Sequence, residues 1–171
     1  IKTINKLGNV KLYNTTLFLD KHLAVDDTER SKLRSASYLY NLYNRIGVKK
    51  CALCGCEIPE IIQGAHIWGV SQISKEPGLA DDAKFLHAID GNNGLWLCQN
   101  HHKLFDSNII MIEPNGHIRI KDGLVAKDIA FIRSITFKTS LDRAILTGEF
   151  KWYISKRNEN INLAHSQELA V

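Results

Sequence analysis

The chain has 171 residues, 44% hydrophobic and 23% charged, with 22 Lys and Arg against 18 Asp and Glu and a net charge of +4. That size suits one compact domain with extensions, and the apolar fraction excludes wholesale disorder. No stretch approaches the ~20 apolar residues of a membrane-spanning helix, and the first residues lack the basic, apolar and small-residue order of a secretory leader.

The chain opens at Ile1, which reads as a fragment of something longer. Residues 1–50 carry ten Lys and Arg and four Asp and Glu, residues 51–124 five and nine, and residues 125–171 seven and five. Basic flanks around an acidic middle suit a nucleic-acid binder with a cation-binding centre, although solvated surface charge explains the same numbers. Thr16 to Val25 reads as a short helix. Residues 27–46 read as a longer one: acids fill the first turn, apolar residues recur from Leu33 to Ile46, and Gly47 stops it.

Cys51 to Glu60 is turn-rich, and the apolar runs Ile61-Ile62 and Ala65-His66-Ile67-Trp68 suit short strands. Residues 69–92 are expected to be a long loop or a broken helix containing Pro77 and Gly78. Asn92-Asn93-Gly94 signals a turn, Leu95-Trp96-Leu97 a strand, and Cys98 to Asn108 a short helix. The runs 109–112 and 117–120, split by Glu113-Pro114-Asn115-Gly116, predict a β-hairpin. Residues 126–135 read as a helix, and Thr147 is a candidate cap for another that runs to Arg157. The polar residues from Asn158 onward are expected to fray.

Three of the four cysteines are bunched at 51, 54 and 56, a pattern of metal binding rather than of an oxidised framework. Cys51 and Cys54 form a C-x2-C pair, and Cys98 and His101 form a C-x2-H pair after 43 intervening residues. A tight knuckle sets two thiolates on one side, and a second pair at a helix start supplies the other corners of a tetrahedron. Four ligands with no open position describe a structural Zn²⁺ tying together a loop-rich segment. Cys56 is left over; it could stand in for Cys54, but the spacing favours Cys54. A redox dithiol would also use C-x2-C, yet it leaves Cys98 and His101 unexplained.

Zinc does not account for a second polar set. His66 lies on an apolar strand, Asn93 in the turn before the next, and His102 directly after the last zinc ligand. Asp106 lies four residues beyond His102, so a helix projects both from one face. Imidazole and carboxylate together make half of a cation site with room for substrate oxygens and water.

The order and spacing of these residues resemble the HNH endonucleases, of the ββα-metal fold. The resemblance covers about residues 51–122, through C-x2-C, Ala65-His66-Ile67, Asn93-Gly94 to Leu97-Cys98, and His101-His102 to Phe105-Asp106. Its AHI, NG-x-x-L-C and HH-x-x-FD pattern looks most like the bacterial restriction-type branch. It implies an α+β fold: an HNH core at 51–122 with a structural zinc, flanked by helical extensions at 1–50 and 123–171. It further implies a cytoplasmic, metal-dependent endonuclease, the nuclease domain of a bacterial restriction enzyme acting on double-stranded DNA.

In that family the strand histidine activates water, the asparagine orients it, and the last histidine binds one divalent metal. The resemblance therefore gives His66 and Asn93 catalytic roles and makes His102 and Asp106 ligands of Mg²⁺ or Mn²⁺. Ala65 departs from the pattern, because many members place a ligand immediately before the base. Lys49, Lys50, Lys75 and Lys103 are candidate phosphate contacts. Cutting both strands with one site per chain calls for a homodimer or sequential nicking, and a recognition domain outside this chain is expected. The competing expectation is a non-catalytic, zinc-stabilised nucleic-acid-binding module, which would need only the zinc ligands.

Overall fold

The computed structural model describes residues 27–159, 161 and 166–168; the helix expected from Thr16 to Val25 lies outside them. Helix α1 spans Asp27–Ile46, as its apolar spacing predicts, and ends where the Gly47 N–H bonds back to Tyr43 O at 2.8 Å. A knuckle at 51–56 follows, closed by the Cys51 N–H on Cys56 O and the Gly55 N–H on Cys51 O. A 3₁₀ turn, Pro59–Ile61, leads into strand β1, Ile62–His66. The two apolar runs expected as separate strands thus share one, and Ile67 and Trp68 lie beyond its end.

Residues 69–92 form two short helices, α2 at Val70–Lys75 and α3 at Asp81–Ile89. Pro77 and Gly78 separate them, and Asp81 and Asp82 occupy the first turn of α3, where carboxylates favour a helix start. A 3₁₀ turn at Gly91–Asn93 delivers the chain to strand β2, Gly94–Cys98, and then to helix α4, Gln99–Asp106.

Strands β1 and β2 pair antiparallel, from Ile62 opposite Cys98 to His66 opposite Gly94. A two-stranded ribbon is marginal by itself, and here both faces are covered. Side chains alternate along each strand, so Ile62, His66 and Trp96 face α1, while Ala65, Leu95 and Leu97 face the opposite way. On the first face α1 packs Tyr38 and Leu42 against Ile62 and Trp96. Gly94 permits this approach, since a Cβ there would stand 2.3 Å from Tyr38 Oη. On the second face Ala65, Leu95 and Leu97 join Phe105 of α4 in the main core.

That core continues through the hairpin of β3, Ile110–Ile112, and β4, Ile118–Lys121, and through helices α5, Ala126–Ile135, and α6, Gly148–Asn158. Thr147 caps α6 by accepting the Phe150 N–H at 3.1 Å. The inward face of α6 carries Phe150, Tyr153, Ile154 and Arg157. Instead of fraying throughout, the tail supplies strand β5, Ser166–Glu168, antiparallel to β4. Ladder bonds use the backbone groups on the outer edge of β4 and need no apolar side chain. Among the described residues no helix is long and apolar enough to cross a membrane.

Gly91 marks the point where α1 rests on the turn before β2. A Cβ there would stand 2.4 Å from Asn41 O, a backbone atom that cannot swing aside. Gly91→Ala is expected to lower the unfolding free energy by about 1–3 kcal/mol in a urea titration. Wild-type stability in that variant would show that α1 does not dock on this turn.

Candidate functional site

The knuckle presents Cys51 and Cys54 to the junction of β2 and α4, where Cys98 ends the strand and His101 sits in the first helical turn. The ligating atoms of all four lie within 4.8 Å of one another. His101 Nδ1 is 3.5 Å from Cys51 Sγ and 3.2 Å from Cys98 Sγ, and the sulfurs of Cys54 and Cys98 are 3.9 Å apart. A tetrahedral zinc with Zn–S near ~2.3 Å and Zn–N near ~2.05 Å sets such pairs at about 3.8 Å and about 3.6 Å. The donor set therefore fits a metal ion such as zinc.

The chemistry of the donors agrees with the spacing. Burial pushes the Cys54 and Cys98 thiols up. Three thiolates side by side need a compensating dication. The far ring nitrogen of His101, Nε2, donates to Thr136 Oγ1 at 3.0 Å, which leaves the Nδ1 lone pair turned into the cluster. Cys56 stands outside the four and contributes its carbonyl to the knuckle.

His66 ends β1 on the α1 face. Its Nε2 lies 2.9 Å from Ala88 O; a carbonyl only accepts, so Nε2 carries the hydrogen and the neutral ring's lone pair is on Nδ1. The ring stacks on Tyr38, with centroids 3.7 Å and planes 17° apart. Burial pushes the Tyr38 phenol up, so the stacking partner is neutral.

The end of α3 leaves carbonyls without helical partners, and three consecutive ones are taken by side chains. His87 O accepts from Asn93 Nδ2 at 3.1 Å, Ala88 O from His66, and Ile89 O from Asn41 Nδ2 at 2.8 Å. The negative end of the helix dipoles thus lies beside the His66 ring. Asn93 is fully buried and does not touch His66 in these bonds. Its Oδ1 accepts the Trp68 N–H at 2.7 Å, its Nδ2 also donates to Trp68 O at 3.0 Å, and its carbonyl accepts the Ile67 N–H at 3.0 Å. It pins the segment leaving His66 to the end of α3.

His102 and Asp106 project together from α4, with His102 Nε2 3.4 Å from Asp106 Oδ2. His102 Nδ1 donates to Gln63 Oε1 at 2.8 Å, so in the neutral ring the Nε2 lone pair faces the carboxylate. Two electron-rich atoms so placed suit a shared cation, for adjacent ligands of an octahedral ion with ~2.1 Å bonds lie about 3 Å apart. Ala65 is fully buried in the main core and offers this cation no ligand.

His66, His102 and Asp106 line one cleft of about 520 Å³, together with Gln72, Asn108 and Arg157. It borders β1 and touches no residue of β2, so it runs along the outer edge of β1. None of the four candidate lysines lines it. Lys49 Nζ lies 5.8 Å from the centre of the Trp96 ring, Lys50 pairs with Glu57 at 2.7 Å, and Lys75 and Lys103 are exposed.

Three residues at the site carry no motif signal. Gln63 and Tyr38 are visible only once the ribbon is covered. Arg157 had one trace in the sequence, a charge at the position that continues the apolar spacing Phe150, Tyr153, Ile154. Burial lowers its guanidinium to a pKa of about 10, and it remains charged at neutral pH.

Residues 51–113 match the model of a family described as HNH endonuclease. No curated protein matches the chain. The matched segment holds the Cys/His cluster, His66, Asn93, His102 and Asp106, whereas Tyr38 and Arg157 lie outside it. The match points to nuclease chemistry in general, with nucleic acid as the substrate class.

Thr136→Val removes the acceptor behind His101 and leaves all four donors in place. It is expected to weaken zinc binding about tenfold to hundredfold in chelator competition, at an unchanged one zinc per chain. Unchanged affinity would mean that Thr136 does not orient the ligand.

Proposed function

We propose that residues 51–122 form the cutting centre of a metal-dependent endonuclease that hydrolyses phosphodiester bonds in double-stranded DNA. The observation that carries this reading is that His66 and the His102–Asp106 pair share one cleft beside the Cys/His cluster. A binding module would need only the cluster. In this reading the cluster holds a structural Zn²⁺ through Cys51, Cys54, Cys98 and His101. His102 and Asp106 hold Mg²⁺ or Mn²⁺, with the remaining positions left to water and phosphate.

Hydrolysis needs a nucleophile, charge relief on the phosphate and a stabilised leaving oxygen. His66 Nδ1 takes a proton from water as the water oxygen bonds to phosphorus and the P–O3′ bond breaks; the 3′ oxygen is then protonated from solvent. Ala88 O and the C-terminal end of α3 stabilise the imidazolium so formed. The divalent ion, when bound, supplies charge neutralisation at the phosphate and the leaving oxygen. Asn93 and Tyr38 orient the ring without touching the reacting atoms.

The AHI, NG-x-x-L-C and HH-x-x-FD pattern supports placement in a bacterial restriction system, with recognition supplied by another domain. One site per chain then cuts both strands either as a homodimer or by sequential nicking.

Plasmid nicking tests the reading. Activity is expected with Mg²⁺ or Mn²⁺ and absent with Zn²⁺ alone. His66→Ala should lower the rate by about 10²–10⁴-fold at unchanged zinc content. Wild-type cutting by His66→Ala, or full activity without a Mg²⁺-class ion, would overturn it.

A further inference from the structure

Arg157 stands in the last turn of α6, is 7% exposed, and reaches both sides of the cleft. Its Nη1 donates to Ile67 O at 3.0 Å; its Nη2 donates to Phe105 O and, at 2.8 Å, to Asn108 Oδ1. The guanidinium carbon lies 3.8 Å from the centre of the Phe105 ring. Ile67 directly follows His66. Phe105 directly precedes Asp106 and lies three residues beyond His102. We infer that Arg157 is a positioning residue that fixes the separation between the His66 strand end and the His102–Asp106 helix, so that α6 completes the cutting centre. This rests on the nuclease reading above for its chemistry, though not for its geometry.

Three observations carry it. First, the guanidinium donors lie in one rigid plane, so bonds to Ile67 O on one side and to Phe105 O and Asn108 on the other fix a distance as well as an orientation. Second, Ile67 is held from the other direction by its N–H on the Asn93 carbonyl, so Asn93 and Arg157 clamp the residue after His66 between them. Third, the acceptors of these bonds are neutral oxygens, the Asp106 carboxylate acts on the guanidinium only from a distance, and among the described residues no ion pair within 4.0 Å involves Arg157. Burying a cation without a direct ion pair is a costly way to fill space, and an apolar side chain at this inward position would serve stability better. What an apolar side chain would not supply is the three-point span across the cleft. A shift of about 1 Å between reacting groups is enough to cost roughly a hundredfold in rate.

The test compares Arg157→Gln and Arg157→Lys with Phe150→Leu, which disturbs the same helix at a fully buried position away from the cleft. Zinc content, the ring NMR signals of His66 and His102, and the kcat and KM of plasmid nicking are measured on each. The expected result is that both Arg157 variants shift the ring signals of the two histidines beyond the changes in Phe150→Leu. They should also lower kcat by about tenfold to a hundredfold, with zinc retained and KM nearly unchanged. Ring signals like those of Phe150→Leu would overturn the inference. So would full recovery of kcat by lysine together with a raised KM in Arg157→Gln, because a charge contact to substrate would then be the whole role. If the wild-type chain does not nick DNA, the nuclease reading falls and the ring signals alone decide for Arg157. If Arg157→Gln does not fold, Arg157→Lys decides by the same signals.

Discussion

Cys51, Cys54, Cys98 and His101 meet at one point although they come from two segments separated by 43 residues. The knuckle, the end of β2 and the start of α4 are joined at that meeting. The knuckle has no regular structure of its own, and the β1–β2 ribbon is two strands wide. A four-coordinate zinc in such a cluster contributes about 10–16 kcal/mol of apparent binding energy. That is of the same size as the whole stability of an ordinary domain, about 5–15 kcal/mol. The same junction sets where α4 begins, and hence which way His102 and Asp106 point.

The ribbon then divides the molecule into two packing problems. One face takes α1, through Tyr38 and Leu42, and the other takes the main core with Phe105 and Phe150. His66 sits at the end of β1 with its ring against α1, while Gln63, on the opposite face, reaches His102. The cleft runs along the edge between those faces and is lined by β1, α2, α4 and α6, while α1 and α3 hold the His66 ring through Tyr38 and Ala88. This explains why residues outside the family match, Tyr38 and Arg157, touch the groups that the match contains.

What was legible in the sequence follows from which forces are local. Apolar periodicity and end signals marked α1, α5 and the Thr147 cap, and strict ligand spacing marked the cluster. Tyr38 under His66, the α3 carbonyls that hold His66 and Asn93, and the Arg157 clamp were not legible. Each depends on elements that meet only after packing. The pairing of Ser166–Glu168 with β4 was hidden for a related reason: backbone bonds leave no trace in a polar side-chain pattern. Ala65 reads as a missing ligand in sequence and as a core residue in the structure, where it packs with Leu95, Leu97 and Phe105.

The proposed function requires two cation sites of different chemistry side by side, a closed sulfur-rich one that holds the fold and an open one in the cleft. Anomalous diffraction from one crystal grown with Mn²⁺, recorded at the zinc and the manganese absorption edges, tests it most directly. The expected result is a zinc peak inside the Cys51, Cys54, Cys98 and His101 cluster and a separate manganese peak against His102 and Asp106. A cleft without manganese, or manganese within the cluster, would contradict it.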